Sequence, residues 1–533
     1  MKAFLICIFC LLSVPYYAQI IEVKSPGNEH LDKKGSIPVF AFPELDHKAI
    51  MLEDELEGQD KSLPFRIAIP FSTSIDVLKE GFFFLDEKGY KNYIIELDVK
   101  GAKAVGLIFQ KFHIPDGAEL YVFNRSLTSV NGAITSVNNN PKNRMQVSPV
   151  KGDDIFVLYK EAPFLSSHAE LLIETVTHVY RDLYKDDKNF GDSGSCNVNV
   201  VCEEGNGFED EARAVVMIIN GNGSRICSGA LINNTAVDCT PYLLTAEHCL
   251  PSDLSDLGVW SFIFNYKSSV CDPTQNGLLS NSVFGSELIA SSDVYDFALL
   301  ELDQTPPETY NVYFAGWSRS IIAPSYSKCI HHPSGDVMKI STDDDPVSLT
   351  NYLGESGNNY WKVGSWDSGT TEGGSSGSPL LNPSGKIIGQ LRGGLAACGN
   401  TASDYYGAFY KSWDGGSTPD ERLMDWLDPL DIDVSTLNGS DLCSVSVKEI
   451  ELDRSIELFP NPARDILNLR SIEPVYIKQI NILDASGRII RSQKVEQLLI
   501  DVETIEIHDV APGIYQLQIS TDKRVFARPF IKQ

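Results

Sequence analysis

The chain has 533 residues, with 44 Lys and Arg against 72 Asp and Glu, a formal net charge of −28. That length exceeds what one hydrophobic core organises, so two to four domains are expected. The negative field opposes contact with nucleic-acid phosphates and favours cationic polypeptides, or simply keeps the protein soluble.

The chain opens with Met1 and Lys2, an apolar run from Ala3 to Val14, and then Tyr16-Tyr17-Ala18-Gln19. A charged start, a short apolar core and a small residue before a cut predict a secretory signal peptide over residues 1–19, hence an extracellular or outer-surface protein. The run is too short to span a bilayer and no later one is longer, so no transmembrane segment is expected. Residues 20–190 alternate in a β pattern, as in Tyr93-Ile94-Ile95-Glu96-Leu97-Asp98-Val99 and Ile155-Phe156-Val157-Leu158-Tyr159, with turns such as Pro115-Asp116-Gly117 between the runs. This reads as an antiparallel sandwich serving as a pro-domain, with a permanent binding module as the rival reading. The polar stretch 181–192 reads as a cleavable junction, with Lys188 a candidate cut.

Residues 191–433 hold eight of the eleven cysteines (Cys196, Cys202, Cys227, Cys239, Cys249, Cys271, Cys329 and Cys398), together with 32 Asp and Glu against 11 Lys and Arg. In an exported chain such clustering predicts a disulfide-stapled domain. Its short strands and Gly-rich turns suit two six-stranded barrels, closed by a helix in which Leu423, Trp426 and Leu427 share one face. Residues 434–455, with the odd Cys443, read as a linker. Residues 456–533 alternate again, from Leu458-Phe459-Pro460-Asn461-Pro462 to Phe530-Ile531-Lys532-Gln533, and predict a second small sandwich. The expected class is all-β throughout.

Two segments of the middle domain carry chemistry: Thr245-Ala246-Glu247-His248-Cys249 and Gly373-Gly374-Ser375-Ser376-Gly377-Ser378-Pro379. Serine is a poor nucleophile at neutral pH and needs an imidazole to take its proton and a carboxylate to hold that imidazole. Asp296, in the apolar run Tyr295-Asp296-Phe297-Ala298-Leu299-Leu300, supplies a carboxylate whose burial calls for a partner. The order His248, Asp296, Ser376 is that of the chymotrypsin type. The N–H groups of Gly374 and Ser376 are candidates for the oxyanion hole, with glycine tolerating the dihedral this requires. These residues predict an endopeptidase that hydrolyses polypeptides through an acyl-enzyme, with no metal or cofactor, as a monomer. A disulfide from Cys227 to Cys249 would pin the turn carrying His248. His331-His332-Pro333 is read as structural, because adjacent side chains diverge and no ligand set completes a metal site. Asp343-Asp344-Asp345 is read as a solvated loop.

Residues 191–429 resemble the lysyl endopeptidases of Gram-negative bacteria, within the chymotrypsin-like family. The resemblance rests on Gly194-Ser195-Cys196-Asn197, Tyr313-Phe314-Ala315-Gly316-Trp317, Ile330-His331-His332-Pro333 and Asp425-Trp426-Leu427-Asp428-Pro429, besides the two motifs. It implies a triad of His248, Asp296 and Ser376, and disulfides Cys196–Cys398, Cys202–Cys271 and Cys227–Cys249. Cys239 and Cys329 are then left to pair by parity. The lysine-binding Asp of the family falls on Asp404, while its pocket-wall His is replaced by Arg392 and its stacking Trp by Tyr352. An Arg at 392 would compete for Asp404 or point outward. Cleavage after Lys is therefore expected, with Arg and then Glu as alternatives, and a catalytically silent surface adhesin as the non-enzyme reading. Position 375 is Ser where trypsin-like zymogens use Asp, so activation by a new N-terminal ammonium is not expected. The last segment resembles the C-terminal sorting domain of the type IX secretion system, whose machinery is the implied partner.

Overall fold

The computed structural model describes residue 26, residues 36–57, 61, 63–163, 168–181, 193–272, 277, 279, 281–352, 354, 356–441, 456–471, 475–483, 489–499, 502–521 and 525–533. The expected signal peptide, the junction 182–192 and Cys443 lie outside these residues. Strands dominate, and among the described residues no helix is long and apolar enough to cross a membrane.

Residues 36–181 form two stacked sheets. One orders Val39–Phe42, Lys91–Val99, Asp154–Glu161, Ala118–Asn124 and Val130–Ile134, with Phe82–Leu85 added on Lys91–Val99. The other orders Ala68–Asp76, Glu170–Val179, Ala104–His113 and Met145–Lys151. Leu97, Val122 and Val157 from the first meet Leu107, Phe109, Val147 and Val176 from the second in one buried cluster. The alternation read in the sequence is thus the inward face of a sandwich.

Two further sheets build the double β-barrel. The first orders Ser282–Phe284, Ser261–Phe264, Val215–Ile219, Arg225–Leu231, Tyr242–Thr245, Phe297–Leu302 and Ser286–Ser292. The second orders Val198–Asn199, Lys339–Asp343, Ser327–His331, Pro379–Leu381, Ile387–Gly394, Asp404–Ala408, Tyr360–Val363 and Ser348–Thr350. Short edge strands therefore raise each sheet above six. The three disulfides implied by the resemblance are all present, with Cα–Cα separations of 5.6, 4.8 and 6.4 Å.

Val215–Ile219 is buried at every position, and the two faces have different neighbours. Val216 and Ile218 enter the core of the first barrel. Met217 and Ile219 pack, with Ile226 and Ile263, against Ile67, Ala68, Ala104 and Val179 of the sandwich. The sandwich adds a strand as well: Phe65–Arg66 pairs antiparallel with Arg225 and Ile226. Lys142 bonds Asp303 at 2.9 Å across the same junction.

Several expectations need correction. Cys239 and Cys329 are not joined to each other. Cys329 lies in the core of the second barrel, whereas Cys239 packs at the edge of the first. The closing helix is a single turn, Met424–Leu427, preceded by Phe409–Asp414; Leu423 and Leu427 are buried as expected. The stretch expected to start a linker at 434 still belongs to the barrel, since Leu437 pairs with Trp317 and Ser440 with Phe314. Asp343 is not solvated: it ends a strand, is buried, and has its carboxyl pushed up to about 6 by that burial.

Residues 444–533 are a separate compact unit. The sheet of Ile456–Phe459, Ile466–Ser471 and Val502–Glu506 faces that of Ile489–Leu499, Val475–Leu483, Gly513–Thr521 and Val525–Lys532. Leu467, Leu469, Ile480, Ile482 and Leu517 fill a core of its own.

Candidate active site

His248 sits in the short turn Glu247–Cys249, tied by the Cys227–Cys249 disulfide to the strand Arg225–Leu231. Its Nδ1 lies 3.0 Å from both carboxylate oxygens of Asp296, and its backbone N–H donates to Asp296 Oδ1 at 3.0 Å. Asp296 precedes the strand Phe297–Leu302, is 1% exposed, and has φ of 52°. Asp tolerates this left-handed conformation better than most residues. The carbonyl of Asp296 accepts from Glu247 N–H at 3.2 Å and from Gln390 Nε2 at 3.1 Å, which holds the residue from both barrels. A doubly gripped Nδ1 fixes the tautomer that leaves Nε2 available as a base.

Ser376 stands at the turn between Gly374 and Ser378, and glycine is required on both sides of it. Gly374 has φ of 93° and Gly377 of 80°, and a Cβ on Gly377 would come 2.2 Å from Thr245 Oγ1. Ser228 clamps the turn to the first barrel: its Oγ donates to Gly374 O at 2.9 Å, and its N–H donates to Ser376 O at 2.8 Å. Thr245 Oγ1 donates to Ser228 O at 2.8 Å, so the strand leading to His248 and the turn carrying Ser376 share one bracket. Among the described residues, the N–H groups of Gly374 and Ser376 have no acceptor within hydrogen-bond reach, as donors reserved for a developing oxyanion require.

Ser375 is fully buried, its Oγ 2.7 Å from His331 Nδ1, and accepts from Glu372 N–H at 3.1 Å. His331 Nε2 is 3.1 Å from Ser341 Oγ, and burial holds this imidazole well below its ordinary range, so it is neutral. His332 bonds Asp336 O at 3.0 Å and stacks on Tyr266. The two histidines are thus built into the floor of the turn, as their adjacency suggested. Glu372 accepts from Gly194 N–H and Asn197 Nδ2 at 2.8 and 2.7 Å, and from Ser334 Oγ at 2.8 Å, anchoring the start of the stapled domain.

Asp404 opens the strand Asp404–Ala408 and is fully buried. Its Oδ2 accepts from Thr371 Oγ1 at 2.7 Å and from Trp366 Nε1 at 2.8 Å, while Oδ1 accepts from Lys61 Nζ at 3.0 Å. Lys61 Nζ also donates to Thr371 Oγ1 at 2.7 Å. The Lys61 carbonyl oxygen accepts from Ser376 Oγ at 3.2 Å, and Lys61 has φ of 57°. One lysine of the N-terminal sandwich therefore touches both the buried acid and the serine hydroxyl, and among the described residues His248 Nε2 has no hydrogen-bond partner.

Arg392 takes neither course expected of it. Its guanidinium lies 5.0 Å over the ring of Tyr352, with Nη1 3.8 Å from Asp296 Oδ1. It leans on the carboxylate that holds His248 and not on Asp404. Tyr352 is buried and meets Tyr405 edge-on at 5.4 Å. The sequence reading missed Trp366, Thr371 and Lys61. Lys61 carries no motif, and Trp366 and Thr371 become recognisable only once the pocket is folded.

Residues 190–407 match the family described as "Lysyl endopeptidase, C-terminal domain", and residues 457–533 match "Secretion system C-terminal sorting domain". A lysyl endopeptidase of Pseudomonas aeruginosa is 34% identical over 289 residues, covering 50% of this chain and 61% of the relative. The chain thus spans less than two thirds of that relative's length. Among solved structures, a Glu endopeptidase is 18% identical, covering 41% of this chain and 92% of its own, with a TM-score of 0.27. The VesB protease of Vibrio cholerae is 10% identical, covering 60% and 95%, with a TM-score of 0.24. Residues 190–407 are thus similar to lysyl endopeptidase domains and residues 457–533 to secretion sorting domains, and the protein is secreted or held at the cell surface.

Proposed function

We propose that this protein is a serine endopeptidase that cleaves polypeptides after lysine. The observation that carries the chemistry is the buried His248–Asp296 pair, bracketed through Thr245 and Ser228 to the turn that presents Ser376. In this reading His248 Nε2 takes the Ser376 proton as the hydroxyl attacks the scissile carbonyl, and the N–H groups of Gly374 and Ser376 receive the oxyanion. His248 then gives that proton to the leaving amine, the acyl-enzyme forms on Ser376, and water activated by the same imidazole releases the acid. Asp296 holds the imidazole in place and stabilises the imidazolium that forms.

The preference for lysine is supported by Asp404, a buried carboxylate already engaged with an ammonium at 3.0 Å. Such a charge-assisted bond out of water favours a cation at this subsite. Arg392, which would be the basis for choosing acidic residues, faces Asp296. The C-terminal sorting domain supports export through the secretion machinery that recognises it. Ser376→Ala should lower turnover by several orders of magnitude while leaving the thermal midpoint within a few degrees. Digestion of a denatured protein mixture should give fragments ending in lysine. Full activity in Ser376→Ala would remove the serine mechanism, and fragments ending in Glu or Leu would remove the specificity.

A further inference from the structure

The catalytic residues are not open to solvent: Ser376 is fully buried and His248 is 8% exposed. Lys61 covers them in the manner of a substrate. Its ammonium binds Asp404 and Thr371 and its carbonyl oxygen engages Ser376 Oγ, so side chain and main chain of one residue span the distance from pocket floor to nucleophile. From residue 63 the chain also runs as a bound substrate must. Phe65–Arg66 pairs with Arg225 and Ile226, immediately before Cys227, whose disulfide partner Cys249 adjoins His248. That is the side where a leaving amine collects its proton from the imidazole. Arg225 Nη1 donates to Pro64 O at 2.7 Å, and Phe65 presses on Gly373, where a Cβ would come 2.5 Å from the Phe65 ring.

The contact is held from a distance. Asp54 accepts from Arg66 and Arg181, each at 2.7 Å, tying the segments before and after Lys61 into the sandwich. Ile67 N–H donates to Ser224 O at 2.7 Å, and Ile67 and Ala68 pack on the outer face of the first barrel. Yet the geometry is not that of attack. The Lys61 oxygen accepts the Ser376 hydroxyl, whereas a reacting carbonyl oxygen turns to the Gly374 and Ser376 N–H groups. The proton that His248 would abstract is engaged elsewhere.

We infer that Lys61 is an internal, substrate-like plug: it fills the lysine pocket, occupies the Ser376 hydroxyl, and keeps the intact chain silent until the N-terminal sandwich is withdrawn. This rests on the lysyl endopeptidase reading of the same site and adds its regulation. It differs from an activation switch at the new N-terminus, which Ser375 does not support, because silence comes from occupancy and not from a misshapen turn.

The test is the rate at which an organophosphonate without a lysine-like side chain labels Ser376 in freshly made, uncleaved full-length chain, with intact mass confirming that the chain is whole. Lys61→Gln should label at least tenfold faster than wild type, with Ser376→Ala as the blank. Equal rates for wild type and Lys61→Gln overturn the plug while leaving the protease reading in place. No labelling of either chain removes Ser376 as nucleophile, and the plug falls with it. A second readout does not depend on the variant folding. In the full-length Ser376→Ala chain, an amine-acylating reagent should modify Lys61 at least tenfold more slowly than the exposed Lys48, and Asp404→Asn should reduce that protection. Equal modification of Lys61 and Lys48 would overturn the inference.

Discussion

Two buried aspartates lie at opposite ends of the same cleft, and they are neutralised in different ways. Asp296 has a permanent partner: both its oxygens hold His248, its backbone is bonded from both barrels, and Arg392 adds a positive charge at 3.8 Å. Among the described residues, the donors that Asp404 finds within its own barrel are the neutral Thr371 and Trp366, and its counter-charge comes from Lys61 in another part of the chain. Burying an ionised carboxylate without a cation is costly, and breaking a buried pair by removing one partner costs about 3–5 kcal/mol. Under the proposed function, the acid used in every turnover is wired into the catalytic unit, and the acid that would select substrates takes its cation from outside it.

The sharpest way to break this comparison is Asp296→Asn. It should lower kcat by about 10⁴-fold, because the amide favours the wrong imidazole tautomer, while leaving the Lys-to-Leu preference intact. Asp404→Asn should do the converse, reducing the preference for Lys over Leu by about 10²-fold, the equivalent of about 3 kcal/mol, while the mature enzyme still reacts with a phosphonate. A fall in both quantities for either variant would show that the two acids are not separable.

Glu211 is a third buried acid, and it sharpens the contrast because burial and the like charges of Asp210 and Glu209 push its carboxyl up to about 7. A carboxyl raised in the folded state contributes stability that is complete below its unfolded value of about 4.5 and is lost as pH rises through 7. Glu211→Gln should therefore be more stable than wild type at pH 8, by on the order of 1–3 kcal/mol, with the gap closing below about pH 4.5 in denaturant titrations. Arg392→His should have the smallest effect. It should change kcat by less than about tenfold, since the guanidinium supports Asp296 from 3.8 Å, and leave the Lys-to-Leu ratio where it was.

The His248–Asp296 pair and the turn carrying Ser376 were legible because the proposed chemistry demands residue types at fixed places in short motifs. His248 with Cys249, the Gly-flanked Ser376 and an Asp within an apolar run need little context. The pocket end was less so. Asp404 came only from the resemblance, and Arg392 was misjudged because a guanidinium reaches either carboxylate and the sequence does not say which way it turns. The parity argument for Cys239 and Cys329 failed because counting thiols ignores which core buries them; Cys329 sits 3.2 Å from Ser378 Oγ with its thiol pushed up to about 12 by burial. Lys61 was invisible, being one lysine 315 residues before the serine it touches.

The strand Val215–Ile219 has one further consequence. Its apolar residues were chosen for two neighbours, the inside of its own barrel and the back of the sandwich, and one of these is temporary in a zymogen. Were the sandwich removed as a pro-domain, Met217, Ile219, Ile226 and Ile263 would lose the partner that shields them. A barrel shaped against such a template would then endure through the height of its unfolding barrier and not through an equilibrium it re-established alone. Unfolded mature enzyme should recover its activity poorly unless the severed sandwich is returned to it.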